Sequence, residues 1–144
     1  MQEIEVKAGM NYGKITKAYQ NAENQALQET DDPHLIVLAM LNALLKSMGI
    51  FAENIDILNG GQQELKSKHF ARALTIIYAL QSSLDFEKGG DIAENLFQLY
   101  EFARQKLMED LSTNKAEGTI QAIHCLADIR DAWDEMGKQN VEYG

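Results

Sequence analysis

Between Asp32 and Asn59 the large apolar residues follow a rhythm that one kind of element satisfies. Val37, Leu41, Leu44, Met48, Phe51, Ile55 and Leu58 alternate spacings of four and three, which lines them up along one stripe of an α-helix facing a neighbouring helix. Ile36, Met40, Ala43 and Ile50 form an adjoining strip, so the helix is apolar over more than the roughly 100° that a single packing face needs. Asp32 supplies an N-cap and Pro33 suits the first helical turn, where no amide hydrogen is required. Asn59-Gly60-Gly61 is expected to end the helix, because glycine takes the left-handed C-terminal conformation without steric cost.

The same rhythm returns three times. Phe70, Ala73, Ile77, Leu80 and Leu84 predict a second helix over about residues 63–84, with Leu74 beside the stripe. Gly89-Gly90 marks the next turn. Asp91 and Glu94 have the spacing of a capping box ahead of a third stripe, Ile92, Leu96, Leu99, Ala103 and Leu107. After a loop at residues 112–114, Asn114 and Glu117 are placed to cap a last helix carrying Ala122, Leu126, Ile129, Trp133 and Met136. Gly137 is then expected to release the chain. Four amphipathic segments joined by short turns cannot be parallel neighbours. The expected fold is therefore all-α, an antiparallel four-helix bundle over residues 31–137. A mobile arm or additional short N-terminal helix is expected over 1–30, and a polar tail over 138–144.

Charge and cysteine usage narrow the function classes. With 22 acidic and 13 basic residues the formal net charge is -9, which repels phosphate backbones and anionic lipid surfaces, so neither nucleic acid nor membrane is an expected partner. The longest strongly apolar run, residues 35–41, is well short of the ~20 needed to span a bilayer. Cys125 is the single cysteine and fits a reducing compartment. The first residues lack the basic flank and apolar stretch of a signal peptide. The expected location is the cytoplasm.

No catalytic constellation emerges. A di-metal bundle uses Glu-x-x-His pairs, but Asp31, Lys66 and Gln121 stand three residues before His34, His69 and His124. His124 and Asp128 read as an isolated surface pair. Cys125 reads as a buried or semi-buried structural thiol, since its neighbour His124 points about 100° away. Asp31-Asp32 and Glu109-Asp110 read as capping or solvated groups. The two Gly-Gly pairs lack the preceding strand and following Lys-Ser/Thr of a phosphate loop. Neither enzyme, cofactor nor metal is expected.

The stretch from Ser83 to Tyr100 runs Ser-Leu-Asp-Phe-Glu-Lys-Gly-Gly-Asp-Ile-Ala-Glu-Asn-Leu-Phe-Gln-Leu-Tyr. It resembles the signature of FliS flagellar export chaperones: Ser-Leu-Asp, an acidic residue, Gly-Gly, an acidic residue, Ile-Ala, then Asn-Leu and Leu-Tyr. Tyr19-Gln20, Thr30, Pro33 and Arg130-Asp131-Ala132-Trp133 fall in the family's order and approximate spacing. Two segments depart from it. Met40-Leu41-Asn42-Ala43-Leu44 stands where the family carries Leu-Tyr-Asp-Gly-Ala, and Asp31-Asp32 replaces an Ala-Ser before the proline. The chain is similar to a divergent member of that family.

The resemblance implies a cytosolic chaperone, working without ATP, that holds the disordered C-terminal segment of flagellin and prevents polymerisation before export. Other flagellar export or regulatory proteins are further candidate partners, and the chain is expected as a monomer or weak homodimer. Physically, a disordered client offsets its ordering cost by laying amphipathic turns into apolar grooves. The candidate partner-binding residues are Tyr19, Ile36, Met40, Ala43, Ile50, Leu96, Leu99 and Tyr100. Tyr19, with Ile15 and Leu27, is expected to cover the groove until a client displaces it. The alternative is a helical adaptor that self-associates through the same surplus strip, with no flagellin client.

Overall fold

The computed structural model describes residues 31–143, with side chains as far as Lys138. The arm expected over 1–30, Tyr19 included, lies outside the described residues. Four helices are found among the described residues: α1 (Pro33–Glu53), α2 (Gln63–Ser82), α3 (Phe86–Thr113) and α4 (Glu117–Tyr143). A short 3-10 turn (Ile57–Asn59) lies between the first two. No strand occurs among the described residues. The helices close a ring in which α1 packs on α2 and α4, and α3 packs on α4 and α2.

At the start of α1 the Asp32 carboxylate accepts from the His34 amide at 2.9 Å, with Pro33 in the first turn as its missing amide allows. The predicted stripe is core: Val37, Leu41, Leu44, Met48 and Phe51 are all buried. Burying each such side chain contributes about 1.5–3 kcal/mol. Ile76, Ile77 and Leu80 of α2, Ala103 and Leu107 of α3, and Ala122, Leu126 and Trp133 of α4 complete the interior. By length and composition α1 is apolar enough to cross a membrane. The seven-residue run understates this, because over the whole helix only Lys46 and Glu53 carry full charges. Its apolar sides are occupied by α2 and α4.

Several helix ends differ from the expected ones, each for a polar reason. α1 stops at Glu53, short of Asn59, because the Asn54 side-chain amide donates to the Ile50 carbonyl at 2.8 Å and its oxygen accepts from the Gln62 amide at 3.0 Å. Ile55 stays buried, but Leu58 leaves the stripe and is 91% exposed. Gly60 closes this connection with φ +104°, and a side chain at Gly61 would collide with the Asn54 carbonyl. α2 ends at Ser82, and its expected last stripe residue, Leu84, is buried in the turn that follows. α3 begins at Phe86, one turn before the expected cap at Asp91. The carboxylate of Asp85 accepts from the Lys88 amide at 3.0 Å, and the glycine pair becomes a kink inside the helix, Gly90 having φ 49° and ψ -123°. Ile92, just past the kink, is half exposed.

The α3–α4 corner is held from the side. Asn114, expected to cap α4, is instead the left-handed C-cap of α3, and its side chain accepts from the buried Lys66 ammonium at 2.8 Å. That ammonium also donates to the Ile55 carbonyl at 2.8 Å, tying two connections together. The orphan amide of Thr119 in the first turn of α4 donates 2.6 Å to the carboxylate of Asp110, a buried residue of α3. At the other end α4 runs through Gly137 to Tyr143. Gly137 serves close packing, not chain reversal, because a side chain there would collide with the His34 ring. That ring stacks on Trp133 with centroids 4.8 Å apart, while the indole donates to the His34 carbonyl at 2.9 Å.

Replacing Asp110 by Ala strands a buried amide, at a cost of about 1–3 kcal/mol. The urea midpoint of D110A is expected to fall accordingly, with D110N recovering part of the loss because its amide oxygen still accepts. Equal midpoints for wild type and D110A would remove Asp110 from the corner's stability.

Candidate functional site

The candidate contact residues divide by burial. Ile36, Met40 and Tyr100 are 1%, 0% and 1% exposed: the surplus strip of α1 turns inward at these positions, and Tyr100 sits inside the ring. They present no surface to a partner in this structure. Burial also pushes the Tyr100 hydroxyl well above its ordinary pKa of 10, so it stays a neutral phenol. Ala43 and Ile50 on α1, and Leu96 and Leu99 on α3, are partly exposed. The two pairs do not share one seam, since α3 packs mainly on α2 and α4.

Ala43, Ser47 and Ile50 stand at i, i+4 and i+7 on α1 and therefore share a face. Ser47 is buried, and its hydroxyl lies 3.2 Å from Nδ1 of the buried His69 on α2. This bond marks the middle of the α1–α2 seam. Lys46 and Lys68, the neighbours of the two bonded residues, are both exposed. Burial first, then the positive charges of Lys68 and Lys46, hold the His69 imidazole below its ordinary pKa of 6.5. At neutral pH the ring is uncharged.

On α3, the Glu101 carboxylate accepts from Arg104 Nε at 2.9 Å and from Gln81 of α2 at 3.3 Å. The hydrogen bond from Arg104 is the main reason its pKa falls from 4.5 to about 2. One turn earlier Phe97 meets the half-exposed Phe86 edge to face at 6.0 Å. The outer faces carry apolar groups outside the predicted stripes: Tyr78 at 72% exposure, with Leu35, Met108, Leu111 and Ile120 less so. Leu35, Tyr78, Met108 and Ile120 are set off their local stripes in the sequence, whereas Leu111 continues the α3 stripe one turn past Leu107.

Cys125 is exposed, not buried or semi-buried as expected, because the inward positions of this stretch of α4 are Ala122 and Leu126. His124 and Asp128 are exposed beside it. Among the described residues no group of three or more His, Cys, Asp and Glu side chains is placed to hold a metal ion. What this surface offers is apolar and charged contact area.

Residues 15–140 match the model of a family described as flagellar protein FliS. The chain is 28% identical over 120 residues to the flagellar secretion chaperone FliS of Vibrio cholerae, covering 83% of this chain and 86% of that one. It is 27% identical over 124 residues to the flagellar secretion chaperone FliS of Salmonella typhimurium, covering 83% and 87%. With the flagellar secretion chaperone FliSB of Pseudomonas aeruginosa the identity is 26% over 121 residues, covering 84% and 94%.

The His69 shift gives stability a pH dependence of definite sign. Its folded pKa is depressed, so below 6.5 the unfolded chain takes up the proton first, and the contribution present above that value is lost as pH falls through the window beneath it. Glu101 remains ionised in both states until pH falls toward 4.5 and contributes no slope before then. Between about pH 7.5 and pH 5.5 the urea midpoint of wild type is expected to fall more than that of H69Q. Parallel slopes would exclude His69 as the source.

Proposed function

The chain belongs to the flagellar protein FliS family, and from that premise we propose that it binds the disordered C-terminal segment of flagellin in the cytoplasm and blocks its polymerisation until export. The family is one of secretion chaperones and not of enzymes. The observation that carries the proposal is the match over residues 15–140, joined by three relatives that carry the chaperone name over most of their length.

The bundle supports the reading in physical terms. We take its helices as antiparallel, which the cross-contacts favour. His34 meets Trp133 while Asn42 meets Arg130 at 2.8 Å, and Ser47 meets His69 while Ile55 meets Lys66. Advancing from His34 through α1 to Ile55 thus means retreating along both neighbours. Such a ring leaves outer seams between antiparallel helices, and a short amphipathic client helix fits a seam by burying its apolar stripe. Ala43, Ile50, Leu96 and Leu99 are the proposed client contacts on the described surface, with Tyr19 a further one from the N-terminal segment. Ile36, Met40 and Tyr100 serve as the packed support beneath them. Other flagellar export or regulatory proteins remain candidate partners for the rest of the surface.

Co-purification with a flagellin tests the proposal, followed by truncation of the flagellin C terminus. A 1:1 complex that is lost on truncation is the expected result. A stable symmetric dimer by light scattering, with no peptide complex, would instead establish the self-associating adaptor.

A further inference from the structure

The charge of this chain is not evenly spread. α3 carries Glu87, Asp91, Glu94, Glu101, Glu109 and Asp110 against Lys88, Arg104 and Lys106, whereas α2 carries Lys66, Lys68 and Arg72 against Glu64 alone. In a molecule of net charge -9 the α1–α2 side is therefore the locally positive one.

Two ammonium groups concentrate that charge at one level of the seam. Ser47 and His69 join α1 to α2 through the 3.2 Å contact, so Lys46 and Lys68, one residue before each, flank the same point from the two helices. Both are exposed, and neither has an ion-pair partner among the described residues. By contrast Arg104, Lys106, Arg130 and Lys138 are each paired with a carboxylate. Between the two lysines the seam offers apolar and small surface: Ala43 and Ile50 on α1, and Leu65, one turn before His69, on α2, all partly exposed. At its centre the buried Ser47 hydroxyl and His69 Nδ1 bond to one another.

We propose that the α1–α2 seam, Ala43, Ile50 and Leu65 between Lys46 and Lys68, docks an acidic amphipathic stretch of the client, whose apolar side chains cover the strip while its carboxylates pair with the two lysines. The occupant is chosen by charge: an acidic segment is repelled by the α3 face and attracted here. The two lysines thus fix where on the bundle, and in which register, a negatively charged client helix sits. This inference rests on the client-binding reading above.

The test titrates a labelled flagellin C-terminal peptide and, separately, a Glu-rich amphipathic model helix into the full chain, following backbone amide shifts by NMR. The variants are K46E/K68E and, as a control with the same change of net charge, K88E/K115E. Wild type is expected to show shifts centred on residues 43–50 and 65–72 with both peptides. K46E/K68E is expected to bind about tenfold more weakly and to lose its salt dependence, while the control changes less than about twofold. Circular dichroism of each variant checks that the bundle persists, as exposed lysines on helices allow.

Flagellin peptide binding with shifts elsewhere, or equal weakening by both double variants, would overturn the seam while leaving the client reading intact. Binding of the Glu-rich helix at the seam without flagellin binding would keep the surface and sink the flagellin reading. Binding of neither peptide would sink both.

Discussion

A helix as apolar as α1 is insoluble on more than one side, and the rest of the bundle answers to that fact. One packing partner covers a stripe of roughly 100°, yet α1 buries residues from Ile36 and Met40 across to Val37 and Leu41. Two partners are required, and α2 and α4 fill the role. α3 then closes the ring opposite, touching α4 and α2, and its interior contribution is correspondingly narrow: Ala93, Tyr100, Ala103 and Leu107. Breadth in one helix thus sets the number and order of the others.

Apolar burial is tolerant of small rotations and slides, so the register has to come from elsewhere. It comes from a few buried polar groups at the helix ends. Lys66 holds the Ile55 carbonyl and Asn114, Asp110 holds the first turn of α4, and the Trp133 indole holds the His34 carbonyl. Each joins one element to another and each is directional. These contacts are where a slipped bundle would leave polar groups stranded.

That division of labour explains what the amino-acid sequence disclosed and what it withheld. The spacing of four and three reveals the helices and most of the core, because periodicity is a property of each segment alone. Helix ends were misplaced where a tertiary polar contact decides them: Asn54 ends α1 before Asn59, Asp85 starts α3 before the glycine pair, and Gly137 is a packing site within α4. Which residues of the second strip reach the surface was hidden for a related reason. A second apolar strip announces that something covers it, without saying whether the cover is the protein's own α2 and α4 or a client. Ile36 and Met40 are buried, while Ala43 and Ile50 stay partly exposed. The paired position of Lys46 and Lys68 depends on the Ser47–His69 contact across two helices and has no counterpart in any linear pattern.

The stacked His34 and Trp133 rings, seated against Gly137, make two positions a hundred residues apart share one volume. A bulkier residue at 137 fits only where the ring at 34 gives way, so the junction between the first and last helices behaves as one coupled pair and not as two independent sites.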